Sequence, residues 1–238
     1  KPSIDKENLS NYRPISNLSF LSKLSERVVK RRLDQHLAQN KLYNLYQSAY
    51  TKFHSTETAL LSVYDSLIRA TAKQQVSCLC LFDLSAAFDT IDHAILLHRL
   101  TTWFGITGSV LSWFQSYFSS RLSIVSVSGL KSSPFSSSCG VPQGSVLGPL
   151  LFIMYTTPLS NLISNSPVSH HLYADDTQLY LSFSPHSYTS NIVQLQSVIA
   201  QVSLWMSANL LSRNPNKTEF LIIGTSQQLS KLNNPTRL

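Results

Sequence analysis

Charge is scarce in this sequence. Of 238 residues only 13% are Asp, Glu, Lys or Arg, about half the usual share. Acids are scarcer still, 12 against 19 Lys and Arg, leaving a net charge of +7. With 43% hydrophobic residues the chain is no disordered polyelectrolyte, and its basic excess favours an anionic partner, nucleic acid foremost. Cysteine is limited to Cys78, Cys80 and Cys139. An odd count without ligand spacing argues against a disulfide framework or a cysteine metal site. The three are expected to be buried thiols in a reducing, intracellular setting. Long apolar runs are also missing. The longest, residues 146–155, is interrupted by Gly148 and Pro149 and is too short to cross a bilayer, so no membrane partner is expected. No signal-peptide pattern opens the chain, and no repeat or long linker divides it. The start at Lys1 and the polar end suggest a segment of something longer.

What is present is enough apolar sequence for one large domain or two small subdomains. Residues 1–13 read as polar and extended, since Pro14 disfavours helix at Arg13. Leu18, Leu21, Leu24, Val28 and Leu33 then mark one helix face, with Lys23, Arg27, Lys30, Arg31 and Arg32 on the other. That basic face suits a phosphate backbone or plain solvent equally. Ser55 or Thr56 caps a second helix that turns Leu60, Val63, Tyr64, Leu67 and Ile68 inward. Residues 76–82 are apolar on both faces, as in a central strand, and end at Asp83. Period two sets Asp83 on the face of Leu79 and Leu81, at the rim of the sheet.

Asp92 is placed to cap a helix from His93 to about Trp103, ended by Gly105, and another helix runs to about Phe118. Residues 121–128 alternate as a half-exposed strand, paired across Gly129 with a partner before Cys139. A loop, Gly140-Val141-Pro142-Gln143-Gly144-Ser145, precedes a helix over about 146–162. Its glycines let backbone approach a ligand, and Gln143 offers a donor and an acceptor. Ile192, Leu195, Val198, Ile199, Val202, Trp205 and Met206 form a core-facing helical stripe. Asn214-Pro215-Asn216 turns the chain into a last strand over 219–223, closed by Gly224.

The stretch Tyr173-Ala174-Asp175-Asp176 joins two strand-like segments and reads as the tip of a tight hairpin. Adjacent acids repel, so the tip is either a solvated turn or a cation site. If the strand ending at Asp83 lies beside the hairpin in this β-α-β-β order, three carboxylates meet at one sheet edge. Two Mg²⁺ ions need such hard oxygen ligands.

Read together, Phe82-Asp83-Leu84-Ser85-Ala86-Ala87-Phe88-Asp89, Gly140-Val141-Pro142-Gln143-Gly144-Ser145 and Tyr173-Ala174-Asp175-Asp176 resemble the motifs of a reverse transcriptase. Arg13-Pro14-Ile15-Ser16 and His54-Ser55-Thr56-Glu57-Thr58-Ala59-Leu60 make the chain similar to those of non-LTR (LINE-type) retrotransposons. The resemblance implies an α+β fold, the fingers and palm of a right-hand polymerase with a ferredoxin-like antiparallel palm sheet backed by helices. Residues 1–75 would be fingers-like, 76–224 the palm and 225–238 a truncated tail, with thumb and endonuclease segments missing. It implies RNA-directed DNA polymerisation by two-metal catalysis. Asp83, Asp175 and Asp176, with the Leu84 carbonyl, would bind Mg²⁺, with Mn²⁺ as a substitute.

By position, Phe88 matches the aromatic gate that excludes a 2′-hydroxyl, though a core phenylalanine is the plainer reading of the residue alone. Gln143 and Gly144 match the loop beside the nascent base pair. Lys217 matches a basic residue assisting pyrophosphate departure, and Arg13 a fingers residue near template or phosphate. The implied partners are an RNA template, a DNA primer and dNTPs, within a cytoplasmic ribonucleoprotein and then at nuclear chromosomal DNA. Asp89 and Asp92 read as turn and cap, and His93, His170 and His171 lack a ligand pattern. Thr51 stands where the family usually has arginine, with Lys52 an imperfect substitute, because a point charge does not reproduce a guanidinium fork. Arg213 stands where the family tends to be apolar. The alternatives are a decayed or domesticated nucleic-acid-binding fragment of the same fold and an RNA-directed RNA polymerase. Phe88 argues against the latter.

Overall fold

The computed structural model describes residues 5, 8, 12–119, 121–214 and 217–232. Most of the expected extended lead-in, Pro215 and Asn216 of the expected turn, and residues 233–238 lie outside the described residues. The order begins α1 (Phe20–Gln39), α2 (Thr56–Ala72), β1 (Val76–Phe82), β2 (Leu84–Ser85), α3 (His93–Thr102) and α4 (Gly108–Phe118). Short strands β3 (Leu122–Ser123), β4 (Ser126–Val127), β5 (Leu130–Lys131) and β6 (Phe135–Ser136) follow. The chain continues through α5 (Gly148–Ser164), β7 (Ser169–Tyr173), β8 (Asp176–Phe183) and α6 (Tyr188–Ala208). It closes with β9 (Ser212–Arg213), β10 (Glu219–Ile223) and α7 (Ser226–Leu229).

The main sheet has the order β10-β1-β8-β7, with neighbours antiparallel. β1 is central because both its faces are apolar. Cys78, Cys80 and Phe82 enter the main core with α5 and α6, while Leu79 packs on Val63 and Leu67 of α2, with Leu81 beside it. Burial pushes the thiols of Cys78 and Cys80 up to about 12 and about 11, which makes them inert at neutral pH. The third expected buried thiol is corrected: Cys139 is exposed, where it bridges Asp92.

The caps agree with the sequence. Ser55 and Thr58 form a capping box on α2, and the Asp92 side chain accepts from Ile95 N at 2.8 Å on α3. The faces of the first two helices need correction. In α1, Leu21, Leu24 and Val28 are exposed, and the buried residues are Glu26, Leu33 and Leu37. In α2, Val63 and Leu67 are buried, but Leu60, Tyr64 and Ile68 face solvent. Helical periodicity reveals an apolar stripe but not whether a second layer covers it.

The segment after α4 is a hairpin turning at Ser128 and Gly129, both with positive φ. It is broken into two short ladders, β3 with β6 and β4 with β5. Leu122, Val125, Val127 and Leu130 are exposed, so its expected half-burial is not met. The expected tail docks in part: the Gln228 amide donates to Thr71 O at 3.1 Å, and Leu232 joins the core.

Arg99 is buried where α3 meets α5 and α6. It donates to Tyr155 O and Asn209 Oδ1 and lies 4.4 Å over the Tyr155 ring. Among the described residues no helix is long and apolar enough to cross a membrane.

His170 and His171 in β7 are both buried. Burial pulls His170 down to about 4, and His171 is lowered in the same direction. The unfolded chain therefore takes up protons below about pH 6.5 that folded His170 refuses until near pH 4. Stability is present above the unfolded value and is lost as pH falls through this window, by up to about 3 kcal/mol for His170. Urea midpoints at pH 7 and pH 5 should differ accordingly, and His170→Phe should flatten the slope. An unchanged slope would remove His170 as its cause.

Candidate active site

The three carboxylates converge because β1 lies beside β8. Phe82 pairs with Thr177, so the next register position sets Asp83 opposite Asp176, and Asp175 lies in the turn just beyond. Tyr173 pairs with Asp176, leaving Ala174 and Asp175 as a two-residue turn. Ala174 has φ +54, a conformation costly for a residue with a Cβ.

The turn is held by Gln47, whose amide is buried. Its Oε1 accepts from Ala174 N at 3.0 Å and from Ala49 N at 2.9 Å, and its Nε2 donates to Ala174 O at 3.4 Å. Residues 46–48 run parallel to β7, with Leu172 N donating to Tyr46 O and Ser48 N to Leu172 O. The amino-terminal segment thus fixes the backbone that carries the acids.

Asp83 is held from the other side. Its carbonyl accepts from Asn214 N at 2.9 Å, and its Oδ2 from Asn214 Nδ2 at 3.4 Å and Lys217 Nζ at 2.9 Å. This rung makes Leu84–Arg213 the non-hydrogen-bonded pair of the β2–β9 ladder, so the Leu84 carbonyl turns away from β9. Asp175 is raised above the ordinary carboxylate value by partial burial and by Asp83, against the pull of Arg13 and Lys217. Asp176 is raised by desolvation, Asp175 and Asp83, with Lys217 opposing. Negative charge therefore exceeds its local compensation.

The Phe88 ring, half-buried, stacks on buried Phe152 with centroids 4.9 Å apart. Phe88 O accepts from Val141 N at 2.8 Å, tying it to the 140–145 loop. Gly140 is required there: at φ +82 its added Cβ would meet Asp89 O at 2.8 Å. Gln143 donates to Asp89 Oδ2 at 3.3 Å, and its carbonyl accepts from Ser16 N at 2.9 Å. Asp89 is raised by burial, with the Gln143 bond opposing.

Hard oxygen donors with excess negative charge suit a divalent cation. Yet among the described residues no group of three or more His, Cys, Asp or Glu is spaced to hold one. The Lys217 ammonium supplies the counter-charge to Asp83 instead.

The family model for reverse transcriptase (RNA-dependent DNA polymerase) matches residues 4–232. The chain belongs to the reverse transcriptase family. Its relatives are the polymerases of non-LTR retrotransposons. One is a probable RNA-directed DNA polymerase from transposon BS of Drosophila melanogaster, 29% identical over 92% of this chain and 24% of that protein. Another is the RNA-directed DNA polymerase from mobile element jockey of the same species, 30% identical over 71% of this chain and 19% of that protein. The chain thus spans about a quarter or less of these two curated relatives. Among solved structures, a telomerase from Candida tropicalis truncated from its C-terminal domain has a TM-score of 0.60 at 16% identity. The match covers 84% of this chain and 41% of that one, and likeness at that identity concerns the fold alone.

In this reverse transcriptase chain the structure brings together Asp83, Asp175, Asp176 and Lys217, with Arg13 exposed nearby. Phe88 and Gln143 are linked to each other through the 140–145 loop and Asp89, and Gly144 lies at φ +94 against Ser16. Lys52 is different. It sits 4.7 Å over the Phe53 ring, whereas the cations acting on Asp175 are Arg13 and Lys217. Thr51 turns its hydroxyl to Gln47 O and Ala49 O. The unexpected Arg213 lies over the Phe82 ring, 5.7 Å away.

Sequence reasoning missed Gln47, Asn214 and Glu26. The buried Glu26 carboxylate accepts from Val146 N, Leu147 N and Tyr117 OH. Only Glu26 carried a local signal, an acid interrupting a basic helix.

Proposed function

We propose that this chain joins deoxynucleotides to a primer 3′-hydroxyl, directed by an RNA template, as the fingers and palm of a non-LTR retrotransposon reverse transcriptase. Residues 1–75 are assigned to the fingers and 76–224 to a palm whose sheet order is ferredoxin-like. The observation that carries the reading is the β1–β8 register, which supports a shared role for Asp83, Asp175 and Asp176.

Divalent cations, Mg²⁺ or in its place Mn²⁺, held by these carboxylates and the Leu84 carbonyl, would supply an acidified 3′-hydroxyl and neutralise the triphosphate. Asp175 is held in place for that task through its Gln47-braced backbone. Lys217 exchanges Asp83 for the anionic leaving group, a move open to a flexible, exposed ammonium. Arg13 offers a second cation on the approach to Asp175. Phe88, backed by Phe152, forms a rigid floor under the sugar, and Gln143 and Gly144 flank the nascent pair.

A decayed, binding-only copy is the second reading, favoured by Thr51 and by Lys52 lying over Phe53. Extension of a DNA primer on an RNA template with dNTPs and Mg²⁺ separates the two: template binding without extension, beside an active control polymerase, supports the second. The Phe88 assignment carries its own test. Phe88→Val should lower discrimination against ribonucleotides about ten- to a hundredfold, read as the ratio of rNTP to dNTP incorporation. An unchanged ratio returns Phe88 to the core. Action at nuclear chromosomal DNA belongs to the same proposal.

A further inference from the structure

Asp89 is a half-buried acid, raised above the ordinary carboxylate value by that burial. Among the described residues no ion pair includes it. Its side chain has one hydrogen-bond partner there, the Gln143 amide, whose Nε2 donates to Asp89 Oδ2 at 3.3 Å. An asparagine would make the same contact without the cost of desolvating a charge. The chain has only 12 acids in 238 residues, so a carboxylate kept at this point needs a reason.

The reason lies in what a carboxylate cannot do. When ionised it accepts hydrogen bonds and donates none, so an amide that faces it must present its nitrogen. Asparagine offers a donor and an acceptor and would leave both amide orientations open. The rest of Gln143 is already tied down. Its carbonyl accepts from Ser16 N at 2.9 Å, and Ser145 N donates to Pro142 O at 3.0 Å across the turn in which it stands. That turn is clamped to the segment carrying Asp89, since Val141 N donates to Phe88 O at 2.8 Å and Gly140 N to Ile91 O at 2.7 Å. With the backbone anchored and Nε2 on Asp89, Gln143 Oε1 is turned away from the carboxylate as an acceptor.

We infer that Asp89 is a positioning residue, which fixes the polarity of the Gln143 amide so that the nascent base pair meets a hydrogen-bond acceptor. The inference rests on the polymerase reading, in which Gln143 flanks that pair, and adds a specificity to it. An acceptor favours a nucleotide that carries an O–H or N–H at that point and rejects the analogue lacking it. Two groups of an incoming nucleotide qualify. One is the sugar 3′-hydroxyl, and the other is the 2-amino group of guanine, the donor of the minor groove.

Primer extension opposite cytosine would be measured with dGTP, ddGTP and dITP and expressed as ratios of kcat/KM. Gln143→Met should shrink the preference for dGTP over one analogue about two- to tenfold, the worth of one hydrogen bond. A change against ddGTP marks the hydroxyl as the group read, and a change against dITP marks the amino group. Asp89→Leu should shrink the same ratio as far, and the double variant no further, because the two residues act as one unit. Asp89→Asn keeps the volume and frees the polarity, so it should fall between the parent and Asp89→Leu. Being nearly isosteric, it also keeps the test open if leucine unfolds the turn. Nuclear magnetic resonance reads the polarity without catalysis. One Gln143 Nε2 proton should resonate downfield in the parent, held by the carboxylate, and return to the position of a free glutamine in Asp89→Leu. A parent that extends no primer would refute the polymerase reading alone, and this resonance then decides whether Asp89 holds the amide. Ratios that neither Gln143→Met nor Asp89→Leu moves, losses that add in the double variant, or a parental amide at the free position would overturn the inference.

Discussion

Asp175→Asn is expected to reduce primer extension at least about a thousandfold, the scale of losing several kcal/mol of metal-borne charge stabilisation. Its stability should not fall with it. Asparagine is nearly isosteric, and the turn is held by Gln47 through the Ala174 backbone, not through the Asp175 side chain. Partial burial and neighbouring carboxylates raise Asp175 and Asp176 above their ordinary values. A carboxylate raised in the folded state favours folding fully only below its unfolded value. That contribution is lost as pH rises through the folded value, so at neutral pH the ionised cluster is a net cost. Removing one charge should leave the urea midpoint equal or higher at pH 7, with the gain shrinking towards pH 4. Lost extension with a retained or raised midpoint identifies a site whose repulsion is kept for function. Extension that survives Asp175→Asn would refute the carboxylate assignment, and lost extension with a collapsed midpoint would make Asp175 a structural residue.

How much of this was legible beforehand follows from what each pattern encodes. β1 announced itself because a strand between two layers is apolar on both faces, and the hairpin because its turn sits between two apolar strands. Asp83 could be placed at the rim from period two alone, and Asp92 as a cap from its position before an apolar helix. The partners of these elements were less legible. Leu21 and Val28 have the same helical spacing whether covered or bare. Gln47 reaches Ala174 across 127 positions, and Asn214 reaches Asp83 across 131; a lone amide carries no mark of such a partner. The place of Lys52 was not legible because sequence gives its proximity to Thr51 but not its direction, and in the fold its ammonium lies over the neighbouring Phe53 ring.

Glu26 is the fullest case of a residue whose meaning lies in its partners. The sequence places it among basic residues on a helix, where an acid reads as a solvated counter-charge. In the fold it is only 3% exposed and reaches Val146 N at 2.6 Å and Leu147 N at 3.1 Å, just ahead of α5. A carboxylate there satisfies donors that would otherwise be orphaned and meets the positive end of the helix macrodipole. Tyr117 OH donates to its other oxygen at 3.0 Å, so one side chain joins α1, α4 and α5. Glu26→Ala strands two backbone donors and a tyrosine hydroxyl, each costing about 1–3 kcal/mol when buried and unmet. After partial access of water, about 3–5 kcal/mol of global stability should be lost, a large share of the ~5–15 kcal/mol typical of a domain. Urea denaturation measures this directly. Glu26→Gln keeps an acceptor but loses the charge, and should cost about 1–2 kcal/mol. α5 carries Phe152 beneath Phe88, and the 140–145 loop runs into the same capped turn. The glutamine variant should therefore raise the KM for dNTP more than it lowers kcat. If both variants denature at the parental urea concentration, the carboxylate is not the tie that its three hydrogen bonds describe.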